Sequence, residues 1–265
     1  MFGKFNLTID EAIAEYTTFV REVYGCFVIR RWQRKLVRKY IVRDILFDHI
    51  NLERLFKQLT KKYTGYESTV MADVNNPCKF ATIACDGDDF ACSVPKIFRS
   101  YDSSEELADQ CHIWQAARAS TADPKYFKPY MMGGAQYADG VQGFANPCEI
   151  VLEEASELFV GCRINILNLG AGCNKDYGYR DMLKCTRAIP ERVEEPFRNV
   201  SMYLEGHGNA WRLNVASEGR KVWQEQIHKI SVVEKRTRNY LNSREVSNQV
   251  WDIVEGLGLA LQSHA

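Results

Sequence analysis

The chain has 265 residues, enough for one large domain or two small ones that bury a core without disulfide staples. Its 34 Lys and Arg balance its 34 Asp and Glu, so there is no basic surplus of the kind a dedicated nucleic-acid binder needs to release counterions. The 46% hydrophobic and 12% aromatic fractions exclude a disordered chain, and no apolar run approaches the roughly 20 residues of a membrane span.

The chain opens on helix signals. Thr8 can cap a helix with Glu11 three residues on, completing a capping box, and Ile9, Ala12, Ile13, Tyr16, Phe19, Val20 and Val23 recur at helical spacing up to a stop at Gly25. A second helix is predicted over Phe27 to Tyr40. Arg30, Arg31, Arg34, Lys35, Arg38 and Lys39 lie on one side of it and Trp32, Leu36 and Val37 on another. Such a helix is either a solvated face on a packed core or a contact with anionic lipid. Asn51 to Tyr63 reads as a third helix, and Cys78 to Cys85 and Lys96 to Ser100 read as strands. Ser104 to Ala119 has the pattern of an amphipathic helix capped by Ser104, with Leu107, Cys111, Ile113, Trp114 and Ala117 facing inward.

Tyr126 to Pro129 predicts a rigid turn, followed by Gly133-Gly134. Gln136 to Ala138 is a short strand ending at Asp139-Gly140. Pro147 marks a helix start for Cys148 to Leu158, and Arg163 to Leu169 is a strand closed by Gly170-Ala171-Gly172. From Tyr179 onward the pattern is mostly helical. Alternating helices and apolar strands predict an α/β layered domain with a mostly parallel sheet. The expected organisation is a single domain over residues 1–265, with an α/β core to about residue 175 and a helical C-terminal extension from about residue 176.

Metal and cofactor motifs are missing from the sequence. Nine cysteines form no C-x-x-C pair. Cys78, Cys85 and Cys92 are seven apart, but the intervening segment reads as a strand, so free thiols packed as small hydrophobes are expected. His49, His112, His207, His228 and His264 form no ligand pair, and there is no P-loop or G-x-G-x-x-G. No cofactor and no metal are therefore expected. G-x-S-x-G is also absent; Val215 to Gly219 (VASEG) comes nearest, and Ser217 within it reads as a structural or surface residue. Asp139-Gly140 is the sharpest local feature. A strand ending in Asp-Gly puts a carboxylate at a sheet edge where ligands of α/β sheets bind, and it could act as a general base. By itself Asp-Gly is also a common turn, as Asp86-Gly87 illustrates.

Ile113 to Pro129 (IWQAARASTADPKYFKP) and Tyr137 to Pro147 (YADGVQGFANP) resemble, in order and spacing, the patatin-like phospholipase family. That family has W-x-A-A-R-A-T-S-A-A-P-x-Y-F, then D-G-G, then N-N-P. Ile164 to Gly172 is similar to its S-I-G-T-G strand, and Arg212 to Val215 and Thr237 to Leu241 are similar to the helical tail of fungal-type members. The resemblance implies a three-layer patatin-like (FabD/lysophospholipase-like) α/β fold with a helical tail. It implies hydrolysis of phospholipid or acylglycerol esters by a Ser-Asp dyad, with Asp139 the base and Gly140 its motif glycine. Val141 stands where the family has Gly or Ala, and Asp123 where it has Ala. The opening Met1 to Glu11 is similar to the segment just after the family's nucleophile helix, so the resemblance implies that serine and oxyanion loop precede Met1 and that the central sheet is incomplete. The expectation is then an acyl hydrolase that is inactive as it stands. The alternative is a catalytically dead module that binds lipid, or a protein partner across an open sheet edge. A cryptic nucleophile such as Ser120 is the third reading. The expected setting is cytoplasmic, with a peripheral membrane contact, and with no nucleic-acid partner.

Overall fold

The computed structural model describes residues 2–24, 47–86, 94–104, 106–123, 126–172, 190–215 and 229–258. The predicted stop at Gly25, the basic helix over Phe27 to Tyr40, Cys92, Ser217, His228 and His264 lie outside the described residues. The chain forms two compact units, Met1–Phe144 and Ala145–Ala265.

In the first unit a short helix α1 (Phe2–Phe5) precedes α2 (Ile9–Tyr24). The capping box is formed. The Glu11 carboxylate accepts from the Thr8 backbone N–H at 2.9 Å and the Thr8 hydroxyl accepts from the Glu11 N–H at 3.3 Å. Helix α3 (His49–Thr64) starts where the Asp48 carboxylate accepts from the Ile50 N–H at 2.8 Å. It buries Leu52 and Leu55 with Val23, Phe47, Tyr126 and Phe127 in an aromatic-rich cluster.

Four strands make the sheet of this unit: β1 (Ala81–Asp86), β2 (Pro95–Arg99), β3 (Tyr130–Met132) and β4 (Ala135–Asp139), in spatial order β2-β1-β4-β3. Every neighbouring pair is antiparallel, which corrects the expectation of a mostly parallel sheet. For β1 with β2 and for β3 with β4 the reason is chain length. Residues 87–94 between β1 and β2 are fewer than the dozen or more that a parallel crossover needs. Between β3 and β4 there are only Gly133 and Gly134, at φ +61° and +87°. Two left-handed residues in a row give a tight hairpin whose twist matches the strands, and glycine adopts that backbone without strain.

The helix predicted over Ser104 to Ala119 is confined to α4 (Ile113–Ser120), and Leu107 is 82% exposed rather than buried. Local polar groups take the backbone elsewhere. The Asp102 carboxylate accepts from the Ala108 N–H and the Asp109 carboxylate from the Arg99 N–H, both at 2.8 Å. The Asp109 and Cys111 carbonyls accept from Ala72 and Met71 at 2.9 and 2.7 Å. Residues 106–112 thus bond sideways to neighbouring segments, a competition that short acidic side chains often win over a helix. Helix α4 packs through Ala116 and Ala119 with Ala122 against Ala84, Phe98 and Tyr130, and its small side chains bring the helix close to the sheet. The four-residue helix α5 (Val141–Phe144) follows β4.

The second unit contains α6 (Cys148–Leu158), β5 (Asn165–Leu169), α7 (Pro190–Leu204), β6 (Asn209–Leu213), α8 (Ile230–Leu241) and α9 (Arg244–Gly256). β5 and β6 pair in parallel, the arrangement expected of a β–helix–β crossover. Strand β6 falls inside the region predicted to be mostly helical, because five residues carry too little period-two signal to stand out beside long helices. Ile166, Val200, Leu204 and Cys148 form the core here.

Arg212 on β6 organises the polar side of the strand pair. Its Nε and Nη2 donate to the two Glu194 oxygens at 2.7 and 2.8 Å, and its Nη1 to the Asn168 side chain. Replacing Arg212 by Met is expected to destabilise the chain by about 2 kcal/mol, because Asn168 and Glu194 both lose a charged donor. Chemical denaturation checks this, and an unchanged midpoint would mean that the network contributes nothing net.

Candidate functional site

Asp139 is the last residue of β4. Its backbone is held twice: it pairs with Ala84 on β1, and its N–H donates to the Ala122 carbonyl at 3.1 Å, just beyond α4. Its carboxylate Oδ1 accepts from the Val141 N–H at 2.9 Å, fixing the turn into α5. The Gly140 carbonyl accepts from the N–H groups of Gly143 and Phe144 at 3.2 and 2.7 Å, so the chain turns away immediately after the carboxylate.

Gly140 is required by space. A Cβ there would lie 2.8 Å from the Ile83 carbonyl oxygen of β1, a backbone atom that cannot step aside alone. Val141, which stands where the resembled family has Gly or Ala, is not strained. Its side chain is 43% exposed, and among the described residues Asn6 is the one non-glycine with positive φ.

Burial, and then the nearby Asp123 carboxylate, push the Asp139 carboxyl up, against the pull of the Val141 N–H, from an ordinary 3.8 to about 6. A carboxyl that titrates there is ionised near neutral pH and close enough to it to take up a proton, which suits a general base. Asp123 itself caps a turn, with its carbonyl accepting from Tyr126 and Phe127, both at 2.8 Å.

The remaining sequence candidates do not join this carboxylate. The Ser120 hydroxyl donates back to the Ala117 carbonyl at 3.2 Å, and Thr121 does the same at 2.8 Å. His112 caps α4 and accepts from the Trp114 indole N–H at 3.2 Å. Among the described residues no serine, cysteine or histidine side chain is hydrogen-bonded to Asp139, and no group of three or more His, Cys, Asp or Glu could hold a metal ion. Burial raises the Cys111 and Cys148 thiols to about 11, so neither is a ready thiolate. Among the described residues no helix is long and apolar enough to cross a membrane.

One further residue of this neighbourhood stands outside the sequence candidates. Arg118, on α4, is fully buried. Its Nη2 donates to the Lys128 carbonyl at 2.7 Å, its Nε lies 3.4 Å from Glu53, and its guanidinium sits over the rings of Tyr130 and Phe127 at 5.5 and 6.0 Å. The signal was present as a single charge set among Ala116, Ala117 and Ala119, residues too small to line a solvated face.

No family model matches the chain. Over 181 residues, 65% of its length, the chain is 26% identical to the calcium-independent phospholipase A2-gamma of Oryctolagus cuniculus, and the matched stretch is 22% of that protein's length. The chain is therefore similar, at low identity, to part of a phospholipase A2.

Proposed function

We propose that this chain is the base-bearing part of a patatin-like lipid acyl hydrolase, with Asp139 the general base of a Ser-Asp dyad. The observation that carries the reading is the carboxylate itself. Asp139 ends a strand, is anchored by Ala84, Ala122 and Val141, and titrates near 6. The patatin-like order of motifs and the similarity to a phospholipase A2 support a phospholipid or acylglycerol ester as substrate and a lipid surface as the place of work.

In such a reaction the serine oxygen attacks the ester carbonyl and its proton passes to a carboxylate oxygen of Asp139. The tetrahedral oxyanion is held by backbone N–H groups until the alcohol leaves with the returned proton. Water then attacks the acyl-serine with the same carboxylate as base. These 265 residues contain neither G-x-S-x-G nor a G-G-G-x-R-G oxyanion loop. The same fact favours the second reading, a catalytically dead module that binds lipid or protein.

The test is turnover of a short-chain p-nitrophenyl ester by the 265-residue chain and by Asp139→Asn. No turnover by either is the expected result, since nucleophile and oxyanion donors act as a unit. Turnover that Asp139→Asn abolishes would show that a serine inside these residues serves the aspartate. Turnover that survives the substitution would remove Asp139 from the mechanism.

A further inference from the structure

We infer that Arg118 is a positioning residue for the Asp139 site, holding through the Lys128 carbonyl the segment that sets Ala122 and Asp123 against Asp139. The inference rests on the reading of Asp139 as the base and assigns the residue that keeps its surroundings in register.

The path is short and each step is a bond. The Arg118 Nη2 donates to the Lys128 carbonyl at 2.7 Å. The neighbouring Tyr126 and Phe127 N–H groups donate to the Asp123 carbonyl, both at 2.8 Å. Ala122, next to Asp123, accepts the Asp139 N–H at 3.1 Å and donates to Ala119 on α4 at 3.2 Å. The segment on which Asp139 leans is thus tied to α4 at its start by Ala119 and at its far end by Arg118.

The guanidinium is poorly used as a stabilising group. Its Nε and Nη1 are buried without a hydrogen-bond partner, although Nε is 3.4 Å from Glu53. Burial lowers the proton affinity of the group, against the opposing pull of Glu53. An apolar side chain of similar volume would fill the same space beside Phe127 and Tyr130 with no donor left unpaired. What it could not supply is the bond to the Lys128 carbonyl. The end of α4, small throughout at Ala116, Ala117 and Ala119, leaves room for one long side chain to reach it.

The test reads Asp139 directly, by NMR titration of aspartate side-chain carboxyls in the 265-residue chain, with Asp139→Asn assigning the resonance. In Arg118→Met the Asp139 carboxyl is expected to titrate about one pH unit lower, toward its ordinary range, as the segment loosens and water and distance weaken its two upward causes. Arg118→Lys keeps a donor and the charge, and a smaller shift in the same direction is expected. Glu53→Gln removes the ion pair but leaves the Lys128 bond, so the Asp139 titration stays in place even if the melting temperature falls. An Asp139 titration unchanged in folded Arg118→Met would overturn the inference. Should that variant not fold, an unchanged titration in Arg118→Lys would do so. None of these readings depends on ester turnover, so failure of the hydrolase reading and failure of this one are separate results.

Discussion

At pH 7, Asp139→Asn is expected to be more stable than the parent chain by roughly 2 kcal/mol, and at pH 3.5 the two are expected to be equal. The asparagine side-chain oxygen can still accept from the Val141 N–H, so the turn into α5 is kept. What changes is the charge. The Asp139 carboxyl titrates at about 6 in the folded chain against 3.8 ordinarily. Between those values the folded chain holds a proton that the unfolded chain has released, so stability falls as pH rises through about 4 to 6 and the penalty remains in full above it. Two pKa units correspond to nearly 3 kcal/mol, and partial water access at this half-buried group reduces that to roughly 2. Urea denaturation at the two pH values measures the difference. A variant no more stable than the parent at pH 7 would mean that the carboxylate is well solvated and has no strained ionisation to offer a reaction.

The larger effect is expected in the second unit, at Gly208. Two backbone N–H groups, of His207 and Gly208, close the end of α7 on the Leu204 carbonyl at 3.0 and 2.8 Å, and the chain then enters β6. A Cβ on residue 208 would overlap the Ile164 carbonyl oxygen, immediately before β5. That oxygen also accepts the Asn209 N–H at 3.3 Å, the first rung of the parallel pair. Gly208→Ala has to push β6 away from β5 or unwind the last turn of α7. A loss of about 3 kcal/mol or more follows, at the upper end for overpacking because backbone rather than a side-chain tip must move. Gly206→Ala, two residues earlier, meets no atom within 4 Å and carries only the left-handed backbone at φ +78°, about 1 kcal/mol. Thermal unfolding followed by circular dichroism compares the two. Equal losses would mean that conformation, not contact, limits this corner.

Much of the first unit was legible in the sequence because its signals are local. Thr8 with Glu11, the Gly133-Gly134 pair and the strand end at Asp139 each act within four residues, and each does in the fold what its chemistry suggests. Sheet direction was not legible, because alternation of helix and strand describes order and not pairing. The chain between β1 and β2 is simply too short for a crossover. Residues 106–112 have helical periodicity, but the Asp102 carboxylate takes the Ala108 N–H and the Arg99 carbonyl takes the Asp109 N–H, groups that a helix would have used. For the site, Asp139 and the need for Gly140 could be read from the motif. The pressure of Ile83 on Gly140 and the reach of Arg118 to Lys128 join residues distant along the chain, and no spacing rule announces them.

The two sheets also differ in when they can exist. β3 and β4 meet across two glycines, and a hairpin of that kind closes in about 1–10 μs. β5 pairs with β6 in register from Asn165 with Asn209 to Leu169 with Leu213, so the whole of α7 must be made before the first rung can form. Pairings between such distant segments are slow. On a ribosome, the strand bearing Asp139 finds β3 almost at once, while Ile166, buried once the second unit is complete, waits uncovered for a partner not yet translated.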